Sequence, residues 1–178
     1  MSRVGAAWLD GPLAGKRFGV KGPRAAEILA ASGVAVPARA NSWAALEGGG
    51  DTADVIARLG NTEFFIESRG DSPGLAALES RIAAGEPGAY PVLREDLGVV
   101  LGGAAAPDVL AQVCNIDFAA LDLAAQPIVM TSMIGVGVLV LPRIADGIIY
   151  RIWCDPSFGS YLQSGLESVI EGTTRKSA

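Results

Sequence analysis

Apolar and polar residues alternate through KRFGVK (16–21), placing Phe18 and Val20 on one side, and this predicts a short half-buried strand. The period then lengthens. Pro23 stands where a helix opens, Ala25, Ile28, Leu29 and Ser32 share one face at helical spacing, and Gly33 is placed to end it. Residues 34–50 read as a loop, with Pro37, Asn41, Trp43 and three glycines at 48–50. Two strands are expected at 54–59 (DVIARL) and 63–67 (EFFIE), joined as a hairpin by Gly60-Asn61. Ser72-Pro73 then opens a helix that buries Leu75, Leu78 and Ile82 and stops at Gly85.

A second run begins after residues 86–96, read as a linker on Pro87, Gly88 and Pro91. Leu97–Leu101 is an apolar strand. The helix after it has Pro107 in its first turn and Val109, Leu110 and Val113 on one face. Residues 117–126 are irregular. The stretches 128–133 and 134–141 are apolar at successive positions, which predicts strands covered on both faces. Asp146-Gly147 turns the chain into a strand at 148–154, and Asp155-Pro156 starts a closing helix. Its stripe is Phe158, Tyr161, Leu162, Leu166, Val169 and Ile170, and Gly172 is expected to end it before a polar tail at 172–178. Residues 1–15 read as an extended arm with Trp8 and Leu9 as its bulky pair.

The two runs match. GPRAAEILA at Gly22 corresponds to GAAAPDVLA at Gly103, 81 positions on, and FFIESRGDSPGLAALESRI corresponds to YRIWCDPSFGSYLQSGLESVI. In both of the latter, an N-cap oxygen directly precedes proline. Units at 16–85 and 97–171, each strand, helix, strands, helix, imply an α+β fold with two pseudo-repeated units packed into one compact domain.

The chain has 178 residues, of which 50% are apolar and 19% charged. Two explanations remain open for the apolar surplus: an alanine- and glycine-rich make-up, or a surface partly covered by other subunits. A net charge of −5 argues against a nucleic acid partner. The absence of histidine excludes Ser-His and Cys-His nucleophile pairs and HExxH zinc sites. Cys114 and Cys154, 40 positions apart in apolar surroundings, read as structural thiols, free or bridged. No GxGxxG or GK[ST] loop occurs. The acids Glu95-Asp96, Asp117 and Asp122 read as solvated or capping groups, and Thr131-Ser132 as hydroxyls satisfying the backbone. Trp8, Trp43 and Trp153 suit stacking or anchoring. The N-terminus lacks a signal-peptide core, and no apolar run approaches the ~20 residues that span a bilayer, so a cytoplasmic chain without membrane contact is expected. No catalytic, cofactor-binding or metal-binding residue is identified.

Several motifs resemble the small gamma subunit of heterotetrameric sarcosine oxidases. LGNTEFFI (59–66) is similar to that family's LGPDEWLL-type strand turn, and LGVVLGGAAAPDVLAQVCNIDF (97–118) to its strand, helix and following acid. Met130-Thr131 stands where the family has Gln-Thr, and CDPSFGSYLQSGLESVI (154–170) resembles its RSFADYLWDWL helix. The likeness runs through most of residues 16–170. It departs at Phe64, Gly159-Ser160 and Gln163, where the family has Trp, Ala-Asp and Trp, which suits a sister branch such as N-methylglutamate dehydrogenase. The KGCYxGQE motif of tRNA- and iron–sulfur-linked relatives is absent, since Lys21-Gly22 is followed by Pro23.

The resemblance implies a shortened folate-binding aminomethyltransferase-type fold and a place in an oxidative demethylation complex. It implies that larger alpha and beta subunits, with a small delta subunit in some complexes, hold FAD, FMN, NAD and tetrahydrofolate. This chain would then bind no cofactor and serve assembly, with Trp8, Trp43, Phe158 and Tyr161 as its interface residues. A stand-alone folate-binding or aminomethyltransferase-like protein is the alternative.

Overall fold

β1 (Trp8–Asp10) is followed by β2 (Lys16–Lys21), which passes to α1 (Ala25–Ala31) through Gly22. A Cβ there would lie 2.4 Å from the Gly88 carbonyl oxygen, and φ is +142°, so only glycine fits the turn. The Ala25 N–H then reaches the Gly22 carbonyl at 3.1 Å and starts the helix. α1 buries Ala25, Ile28 and Leu29 and ends at Gly33. The computed structural model describes residues 7–46, 54–69 and 72–176; the glycine run at 48–50 lies outside them.

β3 (Ser42–Ala45) lies in a stretch expected to be loop, and pairs with β4 (Val55–Arg58). β4 and β5 (Glu63–Ser68) form the expected antiparallel hairpin around Gly60-Asn61. α2 (Pro73–Ala83) is capped by the Ser72 hydroxyl, which accepts the Leu75 N–H at 3.5 Å, and it buries Leu75 and Leu78. β6 (Tyr90–Leu93) occupies the stretch expected as a linker and pairs with β2. These elements form one compact unit, Gly15–Glu95, with sheet order β3-β4-β5-β2-β6. Val20, Ile28, Leu29, Phe64, Ile66 and Leu78 fill the core between its sheet and helices.

The second unit comprises the residues up to Ala14 and those from Asp96 onward. It contains β7 (Leu97–Gly102), α3 (Ala106–Val113), two 3-10 turns, β8 (Val129–Met133), β9 (Val136–Ala145), β10 (Gly147–Cys154) and α4 (Gly159–Lys176). The expected arm supplies its edge strand: β1 pairs with β7 as Trp8↔Gly102, Leu9↔Leu101 and Asp10↔Val100. The sheet order is β8-β9-β10-β7-β1 when read from the β8 edge.

The two orders are the same topology. β2, α1, β3, β4, β5 and α2 correspond to β7, α3, β8, β9, β10 and α4, while β6 and β1 take the same edge position from opposite directions in sequence. The matched turns agree in detail. Gly103 also has positive φ, and Ala106 N–H bonds its carbonyl at 3.0 Å as Ala25 does that of Gly22. The fold is therefore a mixed α/β arrangement of two repeated units, as the sequence pattern implies.

Two expectations in the second unit need correction. β8 is half-exposed, with Met130 53% exposed, because it is an edge strand and only one of its faces meets the core. α4 does not stop at Gly172 but continues to Lys176. An exposed glycine inside a helix costs about 1 kcal/mol relative to alanine. Here Thr173 ties the last turns to α3: its hydroxyl donates to the Val169 carbonyl at 2.8 Å and accepts the Gln112 amide at 3.1 Å.

Candidate interaction surface

Asp155 and Pro156 set where α4 begins and how its first aromatic side chains point. The Asp155 Oδ1 accepts the Ser157 N–H at 2.9 Å and the Ser157 hydroxyl at 2.5 Å, closing a 3-10 turn over Pro156–Phe158. Those two bonds hold the Asp155 carboxyl below the usual carboxylate range. Beyond the turn, Leu162 and Leu166 are completely buried against α3 and the sheet, whereas Phe158 is 52% and Tyr161 60% exposed. The apolar stripe is thus split. Its leucines make core and its aromatics make surface, so Phe158 and Tyr161 lie exposed, where an interface needs them.

Tyr161 is held in place by an unusual backbone. Ile134 and Gly135 join β8 to β9 with φ of +43° and +83°, the two left-handed residues that a type I′ hairpin turn demands. For a β-branched residue this conformation costs about 1–3 kcal/mol and persists only where the surroundings over-determine it. Three contacts do so. The Ile134 N–H donates to the Val113 carbonyl at 3.0 Å, and its carbonyl accepts the Tyr161 hydroxyl at 3.3 Å. Its side chain lies so close to Gly165 that a Cβ there would sit 2.3 Å from Cδ1. The hairpin tip is thereby pinned between α3 and α4, and Tyr161 is pinned to the tip.

The result is an exposed aromatic pair with Tyr161 anchored, accompanied by exposed Ser157, Ser160 and Ser164 and the Asp155 carboxylate. It has the features of a binding anchor: aromatic area, a Tyr161 side chain with little conformational freedom left to lose, and polar neighbours.

The other two expected interface residues lie elsewhere. Trp8 is half-buried on β1, and its ring lies flat over Gly102, where a Cβ would come 2.3 Å from Cζ2, so it serves packing within its own unit. Trp43 is half-buried on β3 in the other unit, and its Nε1–H is buried without an acceptor among the described residues. Ile134 was missed in the sequence because the turn lacks the usual Asn-Gly or Asp-Gly pair. Gly135 after an apolar run was the one available signal.

The remaining candidates have structural duties. Asp117 and Asp122 each cap a 3-10 turn, accepting the N–H of Ala119 and Ala124 at 3.0 Å. Cys114 and Cys154 are free, buried thiols. Burial, then the Asp96 and Asp155 carboxylates, push the Cys154 thiol up, opposite to what a nucleophile needs. Cys114 contacts the Thr131 hydroxyl at 3.6 Å. Surface cavities among the described residues include two beside these elements. One of about 370 Å³ lies beside the end of α3, lined by Leu110, Cys114, Asn115, Asp117 and Phe118. The other, about 360 Å³, lies between the end of α1 and the start of α2, lined by Ser32, Val34, Leu46 and Ser72. No cluster of three metal-ligating side chains occurs among the described residues, and none of their helices is long and apolar enough to cross a membrane.

A prediction follows from the Asp155 turn. Because its folded pKa is lowered, Asp155 contributes stability that is present above the unfolded value of about 3.9 and lost as pH falls through the lower folded value. Thermal melts of the wild-type chain and Asp155→Ala should therefore differ at neutral pH and converge in strong acid. A gap that persists undiminished there would contradict the charge-based account.

No protein-family model matches the sequence, and no curated protein matches it. Solved structures do match. A chain of the heterotetrameric sarcosine oxidase from Corynebacterium sp. U-96, in complex with pyrrole 2-carboxylate, aligns with a TM-score of 0.74 at 22% identity. The alignment covers 96% of this chain and 88% of that one. The glycine cleavage system aminomethyltransferase T from Bartonella henselae aligns with a TM-score of 0.69 at 18% identity, over 92% of this chain but 46% of that one. At these identities the likeness is one of fold, and the observed architecture is a shortened form of the aminomethyltransferase fold, as the sequence resemblance implied.

Proposed function

We propose that this chain is the small, non-catalytic gamma-type subunit of a hetero-oligomeric flavoprotein of sarcosine oxidase type, which oxidatively demethylates an N-methyl amine. The observation that carries the reading is the contrast in coverage. The alignment spans 88% of the oxidase chain but 46% of the aminomethyltransferase, so the chain matches one neighbour nearly end to end and the other by less than half. The exposed Phe158–Tyr161 pair supplies a docking surface for a larger alpha or beta subunit. In this reading FAD, FMN, NAD and tetrahydrofolate are held by those partners.

Two of the cavities among the described residues suit folate poorly. A pteridine ring needs paired donors and acceptors, and its glutamate tail needs a cation. Beside α3, Asp117 is committed to the Ala119 N–H. In the other cavity, the Ser32 hydroxyl donates to the Ile28 carbonyl at 2.8 Å and Ser72 caps α2. Neither lining includes a lysine or arginine.

The test is to tag the chain in the cell it comes from and purify what it is bound to under mild conditions. A flavin-bearing complex that oxidises an N-methyl amine, with this chain in fixed stoichiometry, is the expected result. Calorimetric binding of tetrahydrofolate by the isolated chain, or its recovery as a lone monomer, would sink the reading in favour of a stand-alone folate protein.

A further inference from the structure

The two repeats differ at one hairpin. In the first unit, β5 pairs with β2 along its whole length, ending at Glu63↔Lys21, and the hairpin turns immediately beyond. In the second, β8 follows β9 only to Val140, and β7 follows β10 only from Tyr150. The ladder between β9 and β10 nevertheless continues past both, from Ile149↔Arg143 through Ile148↔Ile144 to Gly147↔Ala145. Residues 143–149 therefore make a two-stranded ribbon that extends beyond the sheet, for which the first repeat has no counterpart.

The ribbon carries apolar side chains on one face. Along β9 and β10, Val136, Val138 and Val140, and Tyr150, Ile152 and Cys154, point into the core beneath α3 and α4. Ile144 and Ile148, direct cross-strand partners, continue the same two rows. Phe118 packs edge-on against Tyr150, with ring centroids 5.5 Å apart, and cover in this chain ends near there. Ile144 is 71% and Ile148 43% exposed. A two-stranded ribbon standing alone is marginal in water, and an apolar pair on it adds exposed area without internal benefit.

We propose that an apolar surface of a larger protein partner lies across Ile144 and Ile148, continuing over the ribbon the layer that α3 and α4 make over the sheet. Size fixes the kind of occupant. The ribbon from Arg143 to Ile149 offers seven residues, whereas a stable interface takes roughly 20–30 residues a side. A second copy meeting it ribbon to ribbon would bury far too little to associate. The ribbon fits instead as the flank of an interface held also by other contacts, and this inference rests on the larger subunit proposed above. Such a flank strengthens and orients an assembly without being its sole attachment.

The experiment uses the tagged full chain purified with its bound subunits. A photo-crosslinking amino acid at position 148 reports what covers the ribbon, and Ile144→Thr/Ile148→Thr keeps β-branched residues while removing most of the apolar contact. The expected results are a crosslink to a larger flavin-bearing subunit and at least tenfold weaker assembly of the double variant, with the free chain's melting temperature unchanged. If a flavin-bearing complex forms but position 148 does not crosslink and the double variant assembles normally, the ribbon inference fails and the proposed function stands. Recovery of no larger partner overturns both. A crosslink to a second copy of this chain would replace the larger partner by self-association.

Discussion

Replacing Arg17 with methionine is expected to destabilise the unit formed by residues 15–95 by about 3 kcal/mol. Arg17 and Glu67 face each other across β2 and β5, and the Arg17 Nε donates to the Glu67 Oε2 at 2.6 Å. The Glu67 side chain is fully buried and that of Arg17 is 10% exposed, so solvent does little to screen the pair. Two buried charges are not in themselves a source of stability, since desolvating them costs about as much as their attraction returns. Removing one partner is different, because the remaining carboxylate keeps its desolvation cost and loses the counter-charge beside it. The double variant Arg17→Met/Glu67→Leu should recover most of the loss for the same reason. Urea denaturation of the three chains measures both effects. A single variant as stable as the wild type would show that the pair is energetically idle.

The second large effect separates folding from assembly along one helix. Leu166→Ala is expected to cost about 2–5 kcal/mol in stability, because Leu166 is fully buried among α3, α4 and the sheet and truncation leaves a cavity. Phe158→Ala/Tyr161→Ala should leave the free chain's stability within about 1 kcal/mol, since both rings are exposed and the one bond lost is the 3.3 Å contact to Ile134. The same double variant should weaken assembly by about 2 kcal/mol or more, roughly thirtyfold, as loss of an exposed aromatic anchor predicts. Denaturation of the free chain and affinity for the purified larger subunits, measured side by side, decide the matter. Equal affinity of wild type and double variant would remove this surface from the interface.

Much of the fold was legible because its signals are local. Ser72-Pro73 and Asp155-Pro156 act through bonds spanning two or three residues, and Gly22 and Gly103 act through their own backbone angles. Such features carry their physics in a few adjacent letters, and their recurrence in the same order identified the repeat. The shortest edge strands carry no such signal. β1, β3 and β6 have three or four residues each, and β1 finds its partner only at Val100–Gly102, about half the chain away. A short strand exists because of what it pairs with, and pairing at that distance leaves little trace in local periodicity.

The interaction surface shows the same boundary more sharply. The sequence alone determined that Phe158, Tyr161, Leu162 and Leu166 recur near helical spacing after Asp155-Pro156. Only folding decided which of them face solvent. Phe158 belongs to a 3-10 turn, which advances 120° per residue instead of 100°, so it falls out of phase with α4. Tyr161 lies where the cover from α3 and the sheet has ended, and it is held there by Ile134, a residue whose backbone strain no residue pattern announces. Periodicity names the face a helix could bury; the extent of the neighbouring layer sets how much of that face is left for a partner.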